Sequence, residues 1–310
     1  MRAFAQRLFR SGGRMVLTVL LVVTISFVVV RVIPGDPAAV IAGIDAAPER
    51  VERIRTRLGT DRPIAVQYME WLGGLSRGEL GTSLTRNRPV SAMIAERLPI
   101  TATLAGSAFV LTLLIALPAG LLAAIRPHGL ADRALGAFSH AGLAIPDFWV
   151  GIILLLIFSV TLRVLPLFGA TTALHYILPA VALAVSRAAL LARVVRASVR
   201  AELKKRYIEG IRARGVYGAR LLWCHVLPNA MLPVITVAAV QLGYLLGGSI
   251  VIEQVFSMPG LGRLILTAVF QRDFPVVQAG VMFIAVCFSL INFAADILYT
   301  IADPRIRSAR

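Results

Sequence analysis

The sequence predicts an all-α integral membrane protein with about six transmembrane helices. Of its 310 residues, 58% are hydrophobic and only 15% are charged, whereas an ordinary soluble domain is about 25% charged. The net charge of +16 comes from 30 Arg and 2 Lys, and these lie in short segments between long apolar runs. A soluble chain of this length could not bury so much apolar surface, so lipid is its expected solvent.

Six apolar runs are long enough to cross a bilayer, since a span needs about 20 residues. They cover residues 15–33, 98–125, 134–162, 175–195, 229–252 and 274–301. The first run follows four arginines, as a signal peptide would, but it is longer than a typical apolar signal region and no small-x-small cleavage site follows it. We therefore interpret it as a retained helix, and residues 1–310 as a single transmembrane domain.

The distribution of Arg and Lys predicts that both termini are cytoplasmic. The first 14 residues, the loop at 126–133, the segment between the fourth and fifth runs and the C-terminal tail are basic, and they alternate correctly to lie on one side. Residues 34–97, here termed the outer loop, are then extracytoplasmic. Within the outer loop, Pro48 to Leu58 and Pro63 to Leu75 each predict a short helix.

No catalytic motif is present in the sequence. The phosphate-binding loop of an ATPase needs G-x-x-x-x-G-K-[ST], and Lys204 and Lys205, the two lysines of the chain, follow no suitable glycine. The four histidines lack the H-E-x-x-H spacing of a zinc site, and no G-x-S-x-G nucleophile turn occurs. Cys224 and Cys287 predict neither a disulfide framework nor a metal site. We expect no catalytic residue, metal or cofactor in this chain.

The basic segment between the fourth and fifth runs carries an amphipathic pattern. Val199, Leu203, Tyr207 and Ile211 lie four residues apart and predict one apolar stripe on a helix that ends near Gly215. The other faces of this helix are strongly basic. Such a helix could rest on anionic lipid or form a docking surface for a partner, and composition alone leaves both readings open.

A spaced motif in the same segment favours docking. Glu209 is followed by Gly215 and then by Leu227 and Pro228, which resembles the EAA signature of ABC importer permeases, E-A-A-x3-G-x9-I-x-L-P. Glycine and isoleucine replace the two alanines, and His225 replaces the isoleucine of the signature. The resemblance implies that residues 196–228, here termed the coupling loop, hold the helix that seats in a groove of the cytosolic ATPase. It assigns ATPase coupling to Tyr207, Glu209, Arg212, Arg214, Gly215, Leu227 and Pro228.

Other stretches narrow the resemblance to the B-type permease subunit of dipeptide/oligopeptide ABC importers, and together they extend over nearly the whole chain. These stretches are Pro34-Gly-Asp-Pro37, Gln67-Tyr68 with Trp71, Gly78-Glu-Leu-Gly81 with Ser83, Glu253 with Phe256 and Pro259-Gly-Leu-Gly262, Arg272-Asp273-Phe274-Pro275, and Asp303-Pro304-Arg305-Ile306-Arg307. The long outer loop and the Pro-Gly-Asp-Pro stretch favour the B-type over the C-type subunit.

The resemblance implies a machine with several partners in a bacterial inner membrane. These are a second, related permease subunit, two cytosolic ATPase subunits that bind ATP and Mg²⁺, and an extracytoplasmic peptide-binding protein. Substrate would pass between the two permeases by alternating access. The outer loop, with Tyr68 and Trp71, would help to dock the binding protein.

Alternatives remain for the substrate and for the class of transporter. Nickel and glutathione permeases share the same pattern, so the motifs do not fix the substrate as a peptide. A stand-alone secondary transporter is less favoured, because such proteins commonly show internal repeats and ionisable relays. Nucleic-acid binding is not expected, because the basic residues are confined to the faces of the spans.

Two charged residues fall inside the predicted spans. A charge at mid-bilayer costs roughly 2.5–3.5 kcal/mol and usually faces a cavity or a partner. Counting 1.5 Å per residue places Asp147 and Arg187 near the middle of a core roughly 30 Å thick, with Pro146 expected to kink the third span. In the family that the chain resembles, neither position is expected to be charged. We hypothesise that the two residues pair across the third and fourth helices or face the translocation path.

Overall fold

The computed structural model describes residues 2–32, 38, 42, 46–59 and 61–302. The motifs Pro34-Gly-Asp-Pro37 and Asp303-Pro304-Arg305-Ile306-Arg307 lie outside the described residues. Within the described ranges the regular structure is helical, apart from one isolated antiparallel bridge between Thr82 and Pro89. The predicted all-α fold class is therefore confirmed.

The N-terminal third consists of a long helix followed by two short ones. Helix α1 covers Arg2–Val32, α2 covers Pro48–Leu58 and α3 covers Ile64–Ser76. Both predicted outer-loop helices are therefore confirmed. Proline suits the first turn of α2, where its missing N–H has no intrahelical partner to lose. Gly59 ends α2 in a left-handed conformation (φ 67°), which glycine adopts without steric cost.

Helix α4 covers Val90–Ile125, whereas the apolar run that predicts it starts only at residue 98. Glu96 and Arg97 interrupt the hydropathy pattern and conceal the earlier start. Met93 and Ile94 are nevertheless buried, because they pack on the helix that precedes the last span.

The third predicted span is broken into two helices. Helix α5 covers Leu130–Ala144, and α6 covers Asp147–Leu154 and continues as a π-helical stretch over Leu155–Thr161. The two halves are bent by 99°. Ile145 has extended backbone (ψ 125°), as expected of a residue that precedes proline. The predicted kink at Pro146 is therefore confirmed. Its angle of 99° means that the predicted single span consists of two helices nearly at right angles.

The C-terminal half contains two long helices joined by short ones, then a further short helix and the last span. The elements are α7 (Leu174–Leu203), α8 (Arg206–Ala213), α9 (Gly218–Leu221), a π-helical stretch (Leu222–Val226), α10 (Leu227–Val255), α11 (Leu261–Phe270) and α12 (Phe274–Ala302). Helix α7 extends well beyond the predicted run at 175–195. Helix α11 was not predicted, because its ten residues are too few for a span.

Five helices in the described part of the chain are long and apolar enough to cross a membrane, or six if the bent pair α5–α6 counts as one. This agrees with the predicted number of about six. The spans are Ser11–Val29, Val90–Ile125, Leu174–Leu203, Gly218–Val255 and Phe274–Ile297.

The core is built on close contact between α4 and α7, with α10 packed on α7 and α12. A Cβ added at Gly120 of α4 would lie 2.5 Å from the carbonyl oxygen of Ala192, so only glycine permits this approach. Small residues at such crossings let helices pack closely where the hydrophobic effect is absent. Helix α1 packs on α12 and leaves a row of large apolar side chains exposed, as expected of a surface in contact with lipid.

Candidate functional site

The coupling loop does not form the continuous amphipathic helix that the sequence predicts. Helix α7 continues to Leu203, and a new helix, α8, begins at Arg206. Lys205 between them has extended backbone (φ −74°, ψ 143°). This break shifts the helical phase, so Tyr207 departs from the predicted apolar stripe, whereas Ile211 still packs against the core. Ile208 is the fully buried residue of α8, whereas Tyr207 is 39% exposed.

Ile208 fixes α8 against the ends of the two neighbouring long helices. It is buried in one apolar cluster with Val199 of α7, Leu221 and Val226, and Ile211 packs against the same cluster. The opposite face of α8 is open. A short helix seated through one buried side chain can move with the spans to which it is fixed as a rigid body.

A polar network fastens α8 to both long helices. Glu202 in the last turn of α7 has only 5% of its surface exposed. It accepts a hydrogen bond from the Tyr207 hydroxyl (2.6 Å) and pairs with Lys205 (2.5 Å). The Asn229 amide in the first turn of α10 donates to the Tyr207 oxygen (3.3 Å) and to the carbonyl oxygen of His225 (3.0 Å). We call Glu202, Lys205, Tyr207 and Asn229 the Glu202 latch.

Sequence reasoning missed Glu202 and Asn229 as members of the site. Glu202 is one of two acids in a strongly basic segment, which is a signal that could have singled it out. Asn229 carries no such signal, because its partner lies 22 residues earlier in the chain.

The charged residues assigned to coupling point into solvent. Glu209, Arg212 and Arg214 are exposed. Gly215 follows α8 with φ of 80°, and its N–H donates to the Arg212 carbonyl oxygen (2.9 Å). A Cβ on Gly215 would meet no atom within 4 Å, so the glycine is required by backbone conformation rather than by space. The motif glycine therefore turns the chain while the charges stay free for contact.

Leu227 and Pro228, the end of the motif, form the start of α10. Leu227 is half-buried against the cluster around Ile208. Pro228 lies in the first helical turn, where its fixed φ suits the helix. The spaced motif thus joins the exposed α8 to the base of a membrane span.

The structure brings Asp147 and Arg187 together. The Ser186 hydroxyl donates to Oδ1 of Asp147 at 2.5 Å, and an Arg187 guanidinium nitrogen lies 3.5 Å from Oδ2. Both charged side chains keep 24% of their surface exposed. The Nε of Arg187 is buried without a partner among the described residues, and the guanidinium lies against Gly248 of α10. The pair joins α6 to α7 and retains hydrogen-bonding capacity.

The depth predicted for Asp147 stays a prediction, because it was counted along one uninterrupted helix. Asp147 is the first residue of α6, just beyond the 99° bend, so a rise of 1.5 Å per residue no longer gives its height. Arg187 lies near the middle of the long helix α7, and its depth in the bilayer also stays a prediction.

Two other motifs surround α11. Glu253 is fully buried at the N-terminus of α11, where it accepts from the backbone N–H of Arg263 (2.9 Å) and from the Thr101 hydroxyl (2.7 Å). Asp273, 1% exposed, follows α11 and accepts from the Leu84 N–H (3.0 Å) and the Thr85 hydroxyl (2.8 Å). These carboxylates tie α11 to α4, α10 and the outer loop.

The described residues contain no group of three or more His, Cys, Asp or Glu that could hold a metal ion. Cys224 is exposed and Cys287 is half-buried, and both are free thiols.

Comparison with known proteins decides the family. Residues 116–308 match the family described as "Binding-protein-dependent transport system inner membrane component", and residues 4–105 match its N-terminal companion. The chain belongs to this family of importer permeases. It is therefore a multi-pass inner-membrane permease of an ABC importer, in which partner subunits hydrolyse ATP.

Full-length relatives extend over almost the whole permease. A peptide transport system permease protein of Brucella abortus (strain 2308) is 41% identical over 296 residues, which is 93% of this chain and 94% of the relative. The glutathione transport system permease protein GsiC of Pectobacterium atrosepticum is 41% identical over 290 residues, covering 94% and 95%. GsiC of Escherichia coli O6:H1 is 39% identical over 290 residues, with the same coverage.

Solved structures share the fold of the permease. A chain of the inward-facing MetNI methionine ABC transporter superposes with a TM-score of 0.59 at 21% identity, covering 68% of the permease and 96% of that chain. A chain of an amino acid ABC transporter with histidines gives a TM-score of 0.51 at 18% identity, covering 69% and 94%.

Tyr68 and Trp71 of the permease hold its outer loop against α1. Their rings lie 5.0 and 5.4 Å from the ring of Phe27, which is 1% exposed. The Tyr68 hydroxyl also lies 2.7 Å from that of Thr24. Both aromatic side chains are half-buried by this contact, so the docking role predicted for them stays a prediction.

Proposed function

We propose that this permease moves short peptides into the cytoplasm as a single transmembrane domain with both termini cytoplasmic and the outer loop extracytoplasmic. It would act by alternating access with a second, related permease subunit, two cytosolic ATPase subunits and an extracytoplasmic peptide-binding protein. ATP and Mg²⁺ would bind to the ATPase subunits.

The observation that carries the substrate class is the pair of relatives at 41% identity, a peptide permease and a glutathione permease. Glutathione is itself a tripeptide, so both names point to small molecules with peptide bonds and free charged ends. A dedicated glutathione importer is the second candidate, supported by the same level of identity.

We assign contact with the ATPase to the open face of α8. Glu209, Arg212 and Arg214 are exposed there, while Ile208 on the opposite face is buried in the membrane domain. The Glu202 latch fixes α8 to both α7 and α10, so a displacement of α8 by the ATPase would be passed to two spans together. Ion pairs at such an interface fix register and partner choice.

Docking of the binding protein is assigned to the outer face of α3. Tyr68 and Trp71 position this helix through their contact with α1, and the other side presents Val66 and Met69, which are 41% and 68% exposed. In this proposal the two aromatic residues act as supports for the docking surface.

We place Asp147 and Arg187 on the substrate path. A peptide carries a carboxylate and an ammonium group. This pair offers one charge of each sign with partial exposure, and the Arg187 Nε has no partner within the described part of the chain. Replacing both residues, Asp147→Asn with Arg187→Gln, should leave complex assembly intact and reduce peptide uptake. Loss of assembly instead would assign the pair a purely structural role.

The substrate is tested by uptake of labelled dipeptides, longer peptides, glutathione and nickel in cells with and without this chain. Loss of uptake for di- and oligopeptides supports the proposal. Loss for glutathione or nickel alone keeps the importer and replaces its substrate. Unchanged uptake of all four would reject the peptide assignment if a copurified ATPase shows that the complex is assembled.

A further inference from the structure

A cavity of about 280 Å³ with a mixed lining, apolar at Met15 and Phe288, lies between α1 and α12, away from the coupling loop and from the Asp147–Arg187 pair. Its polar lining comes from Ser11, Arg14, Thr18, Ser289, Asn292 and Asp296. In each helix these residues are spaced three and four apart, which places them on one face. Helices α1 and α12 are otherwise apolar, and each has one row of polar residues on the face that lines the cavity.

One end of the cavity carries a charge of each sign. Asp296 accepts a hydrogen bond from the Ser11 hydroxyl and pairs with Arg14 at 3.1 Å. Both charged side chains are in contact with solvent, with 73% of Arg14 and 50% of Asp296 exposed. Since Ser11 is the first residue of the apolar span of α1, these charges lie at the level where lipid headgroups begin.

The other end carries uncharged groups. Thr18 and Ser289 lie seven residues farther into their helices, or about 10 Å deeper at 1.5 Å per residue. The Ser289 hydroxyl is buried (residue 6% exposed) and has no partner among the described residues. A buried hydroxyl without a partner is unusual and calls for a ligand or an ordered water.

We propose that this cavity binds a phospholipid with a zwitterionic headgroup, such as phosphatidylethanolamine. The phosphate lies at Arg14, the ammonium at Asp296, and an ester carbonyl accepts from the Ser289 hydroxyl. From the membrane surface inward, the side chains that would bind the ammonium, the phosphate and the ester carbonyl lie in the same order as these groups do in a phospholipid. Basic pockets between spans on the cytoplasmic side of a membrane bind lipid headgroups, and Arg14 supplies the basic group here. The acyl chains continue along exposed apolar residues of α1 such as Leu17 and Leu21.

The proposal is tested by native mass spectrometry of the complete transporter, purified from nanodiscs of equal phosphatidylethanolamine and phosphatidylglycerol. We expect a retained lipid that is predominantly phosphatidylethanolamine. Arg14→Gln should lower retention roughly tenfold, as loss of a charge-assisted hydrogen bond predicts, and Ser289→Ala should lower it by a smaller factor. Arg133→Gln, at an exposed arginine of α5, is the matched control and should retain lipid as the wild type does.

The charge of Asp296 provides a second, sharper readout. Asp296→Asn removes the acid that would hold the ammonium and keeps the Arg14 cation, so the retained lipid should change to phosphatidylglycerol. No retained lipid in the wild type, or retention that neither Arg14→Gln nor Ser289→Ala changes, would overturn the proposal. So would soluble glycerophosphoethanolamine that binds as tightly as the lipid, or a high-resolution map with only water beside Ser289. These results do not depend on the peptide assignment, because no transport is measured.

Discussion

The helix α11 and the helix α8 are both short connectors between long spans, yet they are held in opposite ways. Helix α11 is fastened at each end by a buried carboxylate, Glu253 and Asp273, and each accepts several hydrogen bonds. Helix α8 is seated by the buried Ile208, with Ile211 packed on the same cluster, and by the Glu202 latch, while its motif charges remain in solvent.

This difference separates two kinds of motif residue. The acidic motif residues around α11 accept hydrogen bonds from other parts of the chain, so their role is to stabilise the fold. The charged motif residues of α8 are exposed to solvent, so they can bind a partner. A family motif contains both structural residues and residues that bind a partner. The two kinds are distinguished by their burial and by their hydrogen-bond partners in the structure.

The largest effect is expected from Glu253→Ala. This change leaves the Arg263 N–H and the Thr101 hydroxyl without their buried acceptor, and each unsatisfied buried group costs about 1–3 kcal/mol. The melting temperature of the purified complex should fall by many degrees. Glu52→Ala in α2, at an exposed glutamate, is the control and should melt with the wild type. If both variants melt with the wild type, the structural role of Glu253 is refuted.

The second effect concerns transport and not stability. Arg212→Glu reverses an exposed charge of α8, and a like charge brought into a matched interface lowers association strongly. Peptide uptake and copurification of the ATPase should fall roughly tenfold or more, with an unchanged melting temperature of the permease. Arg133→Glu on α5, also exposed, should leave both measurements unchanged. An equal loss in the two variants would mean that general surface charge, not α8, determines assembly.

A smaller effect is expected from Tyr207→Phe, which removes the hydroxyl that bonds to Glu202 and Asn229. Because one hydrogen bond contributes about 0.5–1.5 kcal/mol, peptide transported per ATP hydrolysed should fall by a factor of about two to ten. The ratio is measured in proteoliposomes that contain the complete transporter. Tyr217→Phe, at a 63% exposed tyrosine of the same loop, is the control. An unchanged ratio for Tyr207→Phe would show that the latch does not transmit motion.

The smallest effect is expected from Glu70→Gln in α3. Glu70 pairs with Arg62, but the two side chains are 54% and 53% exposed, and exposed ion pairs contribute little to stability. The melting temperature should not change measurably. A clear decrease would show that the outer loop depends on surface charge more than on the packing of Tyr68 and Trp71 on Phe27.

Much of the fold can be predicted from the sequence, because hydropathy and the residues that begin or end helices are properties of short stretches of the chain. The long spans, the helices of the outer loop and the turn at Gly215 all come from short stretches whose composition fixes their conformation. The pairing of Asp147 with Arg187 could be anticipated because an isolated charge in an apolar span requires a partner.

The remaining features depend on contacts that a local pattern does not contain. Pro146 marks the break in the third span, but the 99° angle depends on how α6 packs on α7 and α10. The break at Lys205 places Ile208, and not Tyr207, on the buried side of the following helix. A sequence pattern with apolar residues four apart assumes a continuous helix and does not reveal this break. Glu202 and Asn229 come together only after two long helices have packed side by side.

The most direct test of the account is photocrosslinking from position 209, with position 52 as the reference. A photoreactive residue replaces Glu209 on the open face of α8 in one variant and Glu52 in α2 of the outer loop in the other, and both sites are exposed. The account predicts that position 209 captures an ATPase subunit and that position 52 does not. Capture of the ATPase from position 52 would contradict the proposed topology, and no capture from position 209 in an assembled complex would contradict the coupling role of α8.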